Sequence, residues 1–103
     1  MSIYREETFG PVAAIIPFDD TDDVVAMAND SEYGLVAYLY SNDHRRVQRV
    51  SAALEYGMVA VNTPKITGAP IPFGGVKQSG LGREGSRHGL EEYTELKYVC
   101  MAV

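Results

Sequence analysis

LVAYLYSNDHRRVQRVSAALEYGMVAV, the stretch from Leu35 to Val61, holds two apolar segments on either side of an amphipathic one. The first segment, residues 35–40, is continuously apolar rather than alternating, which is typical of a strand buried on both faces. A Ser-Asn-Asp cluster suited to cap a helix follows, and apolar residues then recur with helical spacing at Val47, Val50 and Leu54. The second apolar segment, residues 58–61, completes a predicted strand–helix–strand unit.

The residues upstream of this unit predict a further strand and helix. Residues 12–16, VAAII, form a short apolar run between two prolines, which favours a buried strand. Thr21 is a candidate N-cap for a short helix that is expected to end near residues 29–30. The resulting β-α-β-α-β order predicts an α/β fold, with a mostly parallel sheet and flanking helices.

Downstream of the unit the chain changes character. Residues 63–82 are rich in Gly and Pro, and they predict a long loop with little regular structure. A loop of this length within a compact unit is usually functional. A helix is expected around Gly89–Thr94, and the apolar residues from Leu96 to Val103 predict a last strand.

Composition excludes several classes of protein. The chain has 103 residues, a net charge of -5, 46% hydrophobic residues and one Cys, so it is one domain or a piece of one. A single Cys cannot form an internal disulfide, and the acidic balance argues against a nucleic-acid partner. No apolar run approaches the ~20 residues of a membrane span, and the first residues lack a signal-peptide core, so a cytoplasmic location is expected.

Two patterns suggest chemistry that their surroundings do not support. Gly80 to Gly85 spells G-x-G-x-x-G, but no buried strand directly precedes it, and a Gly-rich turn is the better interpretation. A small NAD-binding protein that uses these glycines remains an alternative. Cys100 lies in an apolar segment and is interpreted as a small buried hydrophobic residue rather than a nucleophile. No Cys, His, Asp or Glu set has metal-ligand spacing.

Two loops are better candidates for a binding site. Residues 6–11, EETFGP, place two carboxylates beside an aromatic ring, and a carboxylate can accept two hydrogen bonds from a ribose diol. Residues 72–80, PFGGVKQSG, can bring Phe73 against a ligand. From the residues alone, a solvated charge pair and a plain packing turn remain the alternatives.

The segments EETFGP and PFGGVKQSGLGREGS, with Asn62 between them, resemble the C-terminal part of the aldehyde dehydrogenase superfamily. The stretch from Phe73 through EEYTELKYVC is most similar to NAD(P)-dependent succinate-semialdehyde dehydrogenases, and the resemblance runs from about Tyr4 to the end. It implies oxidation of an aldehyde, succinate semialdehyde in that subgroup, through a Cys thioester with NAD or NADP. It also implies that residues 1–94 belong to the catalytic domain and that residues 95–103 form a strand that pairs subunits into a dimer or tetramer.

The resemblance assigns roles to four residues. Glu7 matches the acidic residue that hydrogen-bonds the nicotinamide ribose, and Phe9 matches the aromatic residue beside that ribose. Phe73 matches an aromatic residue of the aldehyde tunnel, and Thr67 falls where the subgroup has a hydroxyl that contacts the substrate carboxylate. The nucleophile and general base of the family match no residue here, so the 103 residues alone are expected to be inactive. The alternative is a non-catalytic, stand-alone oligomerising or interaction module from a truncated dehydrogenase.

Overall fold

A parallel β-α-β unit lies at the centre of the molecule in the computed structural model, which describes residues 2–103. Strand β2, Val36–Leu39, pairs in parallel with β3, Met58–Val61, with Val36 opposite Met58 and Leu39 opposite Val61. Helix α3, His44–Ala53, connects the two strands, as the sequence predicts. The elements in chain order are α1 Ser2–Arg5, α2 Val24–Asn29, β1 Tyr33–Gly34, β2 Val36–Leu39, α3 His44–Ala53, β3 Met58–Val61, β4 Val76–Lys77 and α4 His88–Glu91.

Helix α3 is held at its start by a carboxylate, and it buries one residue, Val50. The side chain of Asp43 accepts hydrogen bonds from the backbone N–H groups of Arg45 and Arg46 at 2.9 and 3.1 Å, which satisfies two donors that the helix itself leaves free. Val50 on α3 is 8% exposed and Ala60 on β3 is 5% exposed, and they are the buried hydrophobic residues of the described chain. The core of this unit is therefore small.

A short antiparallel pair attaches the Gly-rich loop to the unit. Strand β1 pairs with β4, with Tyr33 opposite Lys77 and Gly34 opposite Val76. The loop also lies directly on Gly57, where a Cβ would lie 2.6 Å from the Cα of Gly75. Contact this close leaves no room for a side chain at Gly57 unless the loop moves. The predicted loop of residues 63–82 is thus interrupted by β4.

The structure differs from the sequence prediction upstream of the unit. Residues 12–16 form no strand and are exposed, so the β-α-β-α-β order is wrong at its first strand. A buried strand needs a neighbour for its N–H and C=O groups, and none pairs with this run within residues 2–103. Helix α2 is capped by Asp23, whose carboxylate accepts from the N–H of Ala26 at 3.0 Å. Thr21 instead donates to Asp19, so the predicted cap is wrong.

The C-terminal residues also differ from the prediction. Helix α4 ends at Glu91 rather than Thr94, and residues 96–103 are exposed and form no strand in the described chain. Cys100 is exposed rather than buried. The described sheets are one parallel and one antiparallel pair, so the α/β class holds while the mostly parallel sheet does not. A strand at the C-terminus depends on a partner that these residues do not supply.

The molecule is extended around its small centre. Its radius of gyration is 18.0 Å, against about 13 Å for a compact domain of about 100 residues. Large apolar side chains at both ends are open to solvent, including Phe9, Ile15, Leu96 and Tyr98. Among residues 2–103, no helix is long and apolar enough to cross a membrane.

Candidate functional site

Glu7 and Phe9 lie on an exposed segment that an ion pair holds beside helix α2. The guanidinium of Arg5 contacts both carboxylate oxygens of Asp30, at 2.8 and 2.9 Å. The hydrogen bond and the positive charge of Arg5 lower the pKa of Asp30 below its ordinary value. This pair anchors α1 to the end of α2, and the chain then leads out to Glu7. Phe9 is 91% exposed, so its ring is free to contact a ligand or another surface.

Phe73 lies on the Gly-rich loop, where its backbone is fixed on both sides. It exchanges two backbone hydrogen bonds with Glu84, at 2.9 and 2.7 Å. The guanidinium of Arg83 donates to the carbonyl groups of Gly75 and Gly82 at 2.9 and 2.8 Å. These bonds close the loop on itself and hold Phe73 half-buried at the wall of an open cavity of about 860 Å³.

Lys77 anchors the same loop to the β-α-β unit, a role that sequence reasoning missed. Its ammonium group lies 2.9 Å from Glu55 and donates to the carbonyl groups of Asn29 and Ser31 at 3.0 and 3.3 Å. The side chain is 24% exposed, and the backbone is left-handed with φ 55°. Nothing in the local sequence signals that conformation, because Lys has no preference for positive φ.

Thr67 lies on the exposed loop that leaves β3 after Asn62. The part of the loop that follows Thr67 is held by a hydrogen bond from the N–H of Ser86 to the carbonyl of Ala69 at 2.9 Å. Residues on this loop and on β3 line a second cavity of about 360 Å³, among them Lys65, Ile66 and Ile71. The Thr67 hydroxyl takes part in no hydrogen bond found within the described chain, so it can donate to a ligand.

The structure groups the four predicted residues as two pairs. Thr67 and Phe73 lie on the loop between β3 and β4, and the Ser86 and Glu84 hydrogen bonds fix its later part. Phe73 lines the larger cavity, whereas Thr67 lines neither. Glu7 and Phe9 lie on the separate N-terminal segment and line neither cavity. The described chain therefore presents two open halves of a surface rather than one enclosed pocket.

The G-x-G-x-x-G stretch is a turn. Gly80, Gly82 and Gly85 all have positive φ, at 93°, 94° and 67°, which only glycine adopts readily. They follow the two-residue antiparallel strand β4, and α4 begins later, at His88. A dinucleotide fingerprint instead joins a parallel strand directly to a helix. Within residues 2–103 no cluster of potential metal ligands is found.

Comparison with known proteins gives the family of this chain. The Aldehyde dehydrogenase family profile matches residues 1–99. An aspartate-semialdehyde dehydrogenase (non-phosphorylating) of Halomonas elongata is 59% identical over 98% of the chain and 20% of its own length. A probable succinate-semialdehyde dehydrogenase [NADP(+)] of Sinorhizobium fredii is 58% identical over 98% of the chain and 21% of its own length. A 3-sulfolactaldehyde dehydrogenase of Pseudomonas putida is 59% identical over 98% of the chain and 21% of its own length.

Solved structures agree with the sequence matches. The succinate-semialdehyde dehydrogenase of Burkholderia pseudomallei superposes with a TM-score of 0.92 and 56% identity, over 100% of this chain and 21% of that one. An NAD+ complex of the aldehyde dehydrogenase of Bacillus cereus superposes with a TM-score of 0.88 and 43% identity, over 94% of this chain and 20% of that one. The chain thus spans about a fifth of the length of its relatives. With the family profile matching residues 1–99, the chain belongs to the aldehyde dehydrogenase family.

Proposed function

We propose that this chain is the part of an NAD(P)-dependent aldehyde dehydrogenase that contacts the cofactor ribose and lines the substrate tunnel. The enzyme oxidises a small aldehyde with an anionic tail, succinate semialdehyde foremost, to the carboxylic acid. The observation that carries this proposal is the match of nearly the whole chain to the family. The names of the three relatives add the substrate class, because each names an aldehyde that bears a carboxylate or a sulfonate.

The N-terminal segment has the chemistry that the nicotinamide ribose requires. The described ion pairs are those of Arg5, Lys77 and His88, and none of them occupies the Glu7 carboxylate. An ionised carboxylate only accepts hydrogen bonds, and its two oxygens match two ribose hydroxyls. The exposed ring of Phe9 follows two residues later in the chain and can cover the sugar. The bound NAD(P) would accept hydride from the substrate, while Glu7 and Phe9 orient the ribose.

The loop after β3 supplies the substrate side. The ring of Phe73 forms part of the tunnel wall, and its fixed backbone keeps that wall in place. The Thr67 hydroxyl donates to the carboxylate of the aldehyde, and Lys65, two residues earlier, adds a positive charge to the same loop. Neither residue is a nucleophile or a base. The thiol that attacks the aldehyde and forms the thioester is supplied from outside the 103 residues, since Cys100 does not match that position.

The C-terminal residues are proposed to serve assembly. We assign residues 1–94 to the catalytic domain and residues 95–103 to an oligomerisation strand. The exposed apolar side chains of Leu96, Tyr98 and Met101 support this division, and unpaired backbone there is suited to accept a strand from a second subunit.

A stand-alone module is the second candidate, and the small core counts against it. Two buried hydrophobic residues and the extended shape leave little to stabilise an isolated chain. Light scattering and calorimetry on the 103 residues separate the two proposals. We expect heterogeneous association without a cooperative transition. A monodisperse oligomer with a sharp, cooperative melt would instead establish the module.

The enzymatic proposal is tested in a full-length protein. In the chimera, this chain replaces the 101 matched residues of the Sinorhizobium fredii relative. The product is a full-length dehydrogenase that carries all of the residues discussed. We expect NAD(P)-dependent oxidation of succinate semialdehyde by this chimera. Soluble chimera that binds NAD(P) yet oxidises no semialdehyde with an anionic tail would refute the proposed substrate class.

A further inference from the structure

Asn62 closes the β2–β3 pair with its side chain. Its own backbone N–H donates to the carbonyl of Leu39 at 2.9 Å. Its side-chain amide then makes two bonds with the backbone of Ser41: Oδ1 accepts from the N–H and Nδ2 donates to the carbonyl, each at 2.9 Å. The amide thus takes the place of a peptide group and adds one more pairing after the last residue of the strand.

The backbone of Asn62 changes direction at the same point. Its φ is 55°, a left-handed conformation that Asn tolerates better than most residues because its side chain is short and polar. The chain therefore leaves the sheet here. The direction in which it leaves is set by the left-handed turn and by the two bonds to Ser41.

The segment that follows carries Thr67. Before Thr67 it has one local hydrogen bond, from the N–H of Lys65 to the hydroxyl of Thr63 at 3.1 Å, and its bonds to distant residues lie beyond Thr67. Ser86 binds the carbonyl of Ala69, and Glu84 binds Phe73. Asn62 is the anchor before Thr67, and these bonds are the anchors after it. The loop leaves the carboxyl end of a parallel strand, the edge at which α/β proteins bind their ligands.

We propose that Asn62 is a positioning residue that sets the preference of the enzyme for an anionic aldehyde tail. It does so by directing the loop so that the Thr67 hydroxyl meets that tail. The inference rests on the proposed role of Thr67 in substrate binding. Without the amide, the loop keeps its far anchors and the backbone bond to Leu39 but loses both side-chain bonds to Ser41, and the hydroxyl occupies a wider range of positions.

The test compares two substrates in the full-length chimera described above. Asn62→Gly removes both side-chain bonds and keeps the left-handed turn available, so it isolates the anchor. We expect kcat/KM for succinate semialdehyde to fall about tenfold, chiefly through KM, as the loss of two hydrogen bonds implies. For butanal, a neutral aldehyde of the same chain length, we expect a change of less than about threefold, because no tail contact is lost.

A matched control is available three residues beyond β2, at Asn42. Asn42 is exposed and takes part in none of the described side-chain hydrogen bonds, and Asn42→Gly is expected to leave the ratio of the two kcat/KM values unchanged. If Asn62 had only a structural role, Asn62→Gly would lower the melting temperature or the yield of active enzyme. It would then reduce the activity toward both substrates by the same factor and leave the ratio of the two kcat/KM values unchanged. Should Asn62→Gly fold poorly, Asn62→Asp keeps the acceptor for the Ser41 N–H and is expected to shift the ratio in the same direction, by less.

The outcome for Thr67 separates this inference from the proposed function. The quantity compared is kcat/KM for succinate semialdehyde divided by kcat/KM for butanal. If Thr67→Val lowers this ratio but Asn62→Gly and Asn62→Asp leave it unchanged, Thr67 binds the tail and the inference about Asn62 is wrong. If Thr67→Val also leaves the ratio unchanged, the proposed role of Thr67 is wrong, and the inference about Asn62 fails with it. If the ratio falls in Thr67→Val, Asn62→Gly and Asn62→Asp but not in Asn42→Gly, the result supports both the role of Thr67 and the inference about Asn62.

Discussion

Gly57→Ala is expected to disturb the Gly-rich loop by overpacking it against β3. A Cβ at Gly57 would lie 2.6 Å from the Cα of Gly75 and would overlap the carbonyl of Gly74. Carbon atoms in contact normally lie about 3.5–4.0 Å apart, so the loop must move by about 1 Å. It has little room to do so, because Gly75 itself lies against the backbone of Gly34 and Leu35. Overpacking of this kind costs about 1–3 kcal/mol.

The consequence reaches the proposed tunnel, because Gly74 directly follows Phe73. In the full-length chimera we expect Gly57→Ala to lower the melting temperature and to reduce kcat/KM for both an anionic and a neutral aldehyde, since the tunnel wall serves both. Gly68→Ala is the matched control. Its Cβ would meet Ile71 at 3.4 Å, an ordinary contact, and its expected effect on stability is below about 0.5 kcal/mol. Equal melting temperatures and equal rates for the two variants would refute the packing argument.

Three further predictions concern the proposed ribose contact, the cap of helix α3 and the C-terminal strand. Glu7→Gln should raise the KM for NAD(P) or slow hydride transfer about tenfold or more, because an amide is a weaker acceptor for the ribose, whereas Glu6→Gln should have little effect; steady-state kinetics that are equal for the two variants would remove Glu7 from the cofactor site. Asp43→Ala should lower the melting temperature at pH 7. The hydrogen bonds from the N–H groups of Arg46 and Arg45 lower the pKa of Asp43 in the folded state, so its contribution is present above about pH 4 and is lost as the pH falls through the folded pKa. A difference between variant and parent that is unchanged from pH 7 to the acid limit of folding would contradict that cap. Tyr98→Pro removes a backbone N–H from the proposed pairing strand and should shift the enzyme toward smaller species in light scattering, while Tyr98→Phe should not; an unchanged assembly state in Tyr98→Pro would place the subunit contact elsewhere.

The β-α-β unit could be predicted from the sequence because its signals are local. Helix α3 carries its cap, Asp43, and its buried residue, Val50, within one short segment. The apolar strands on either side pair with each other and with nothing distant. Residues 12–16 and 96–103 are also apolar and predict strands, but neither forms a strand within the described chain. An apolar run specifies a tendency to be buried, but whether a strand forms depends on a neighbour that those residues do not contain.

The candidate site divides along the same line. The residue types of Glu7, Phe9, Thr67 and Phe73, and the family to which they point, could be read from the motifs. The roles of Asn62, Lys77 and Arg83 could not, because each acts on backbone groups that are remote in sequence: Lys77 on Asn29, Asn62 on Ser41 and Arg83 on Gly75. The left-handed conformation of Lys77 could not be predicted from the sequence either.

The sequence by itself determined the family, the helix–strand order from Val36 to Val61 and the chemical groups available to a ligand. Only the tertiary structure decided how the Gly-rich loop is held and where the chain leaves the sheet. The physical reason is that composition and periodicity report on each residue and its near neighbours. The loop, by contrast, is fixed by a half-buried ammonium group, a side-chain amide and the close approach of Gly57 to Gly75, all of which exist only once distant segments have met.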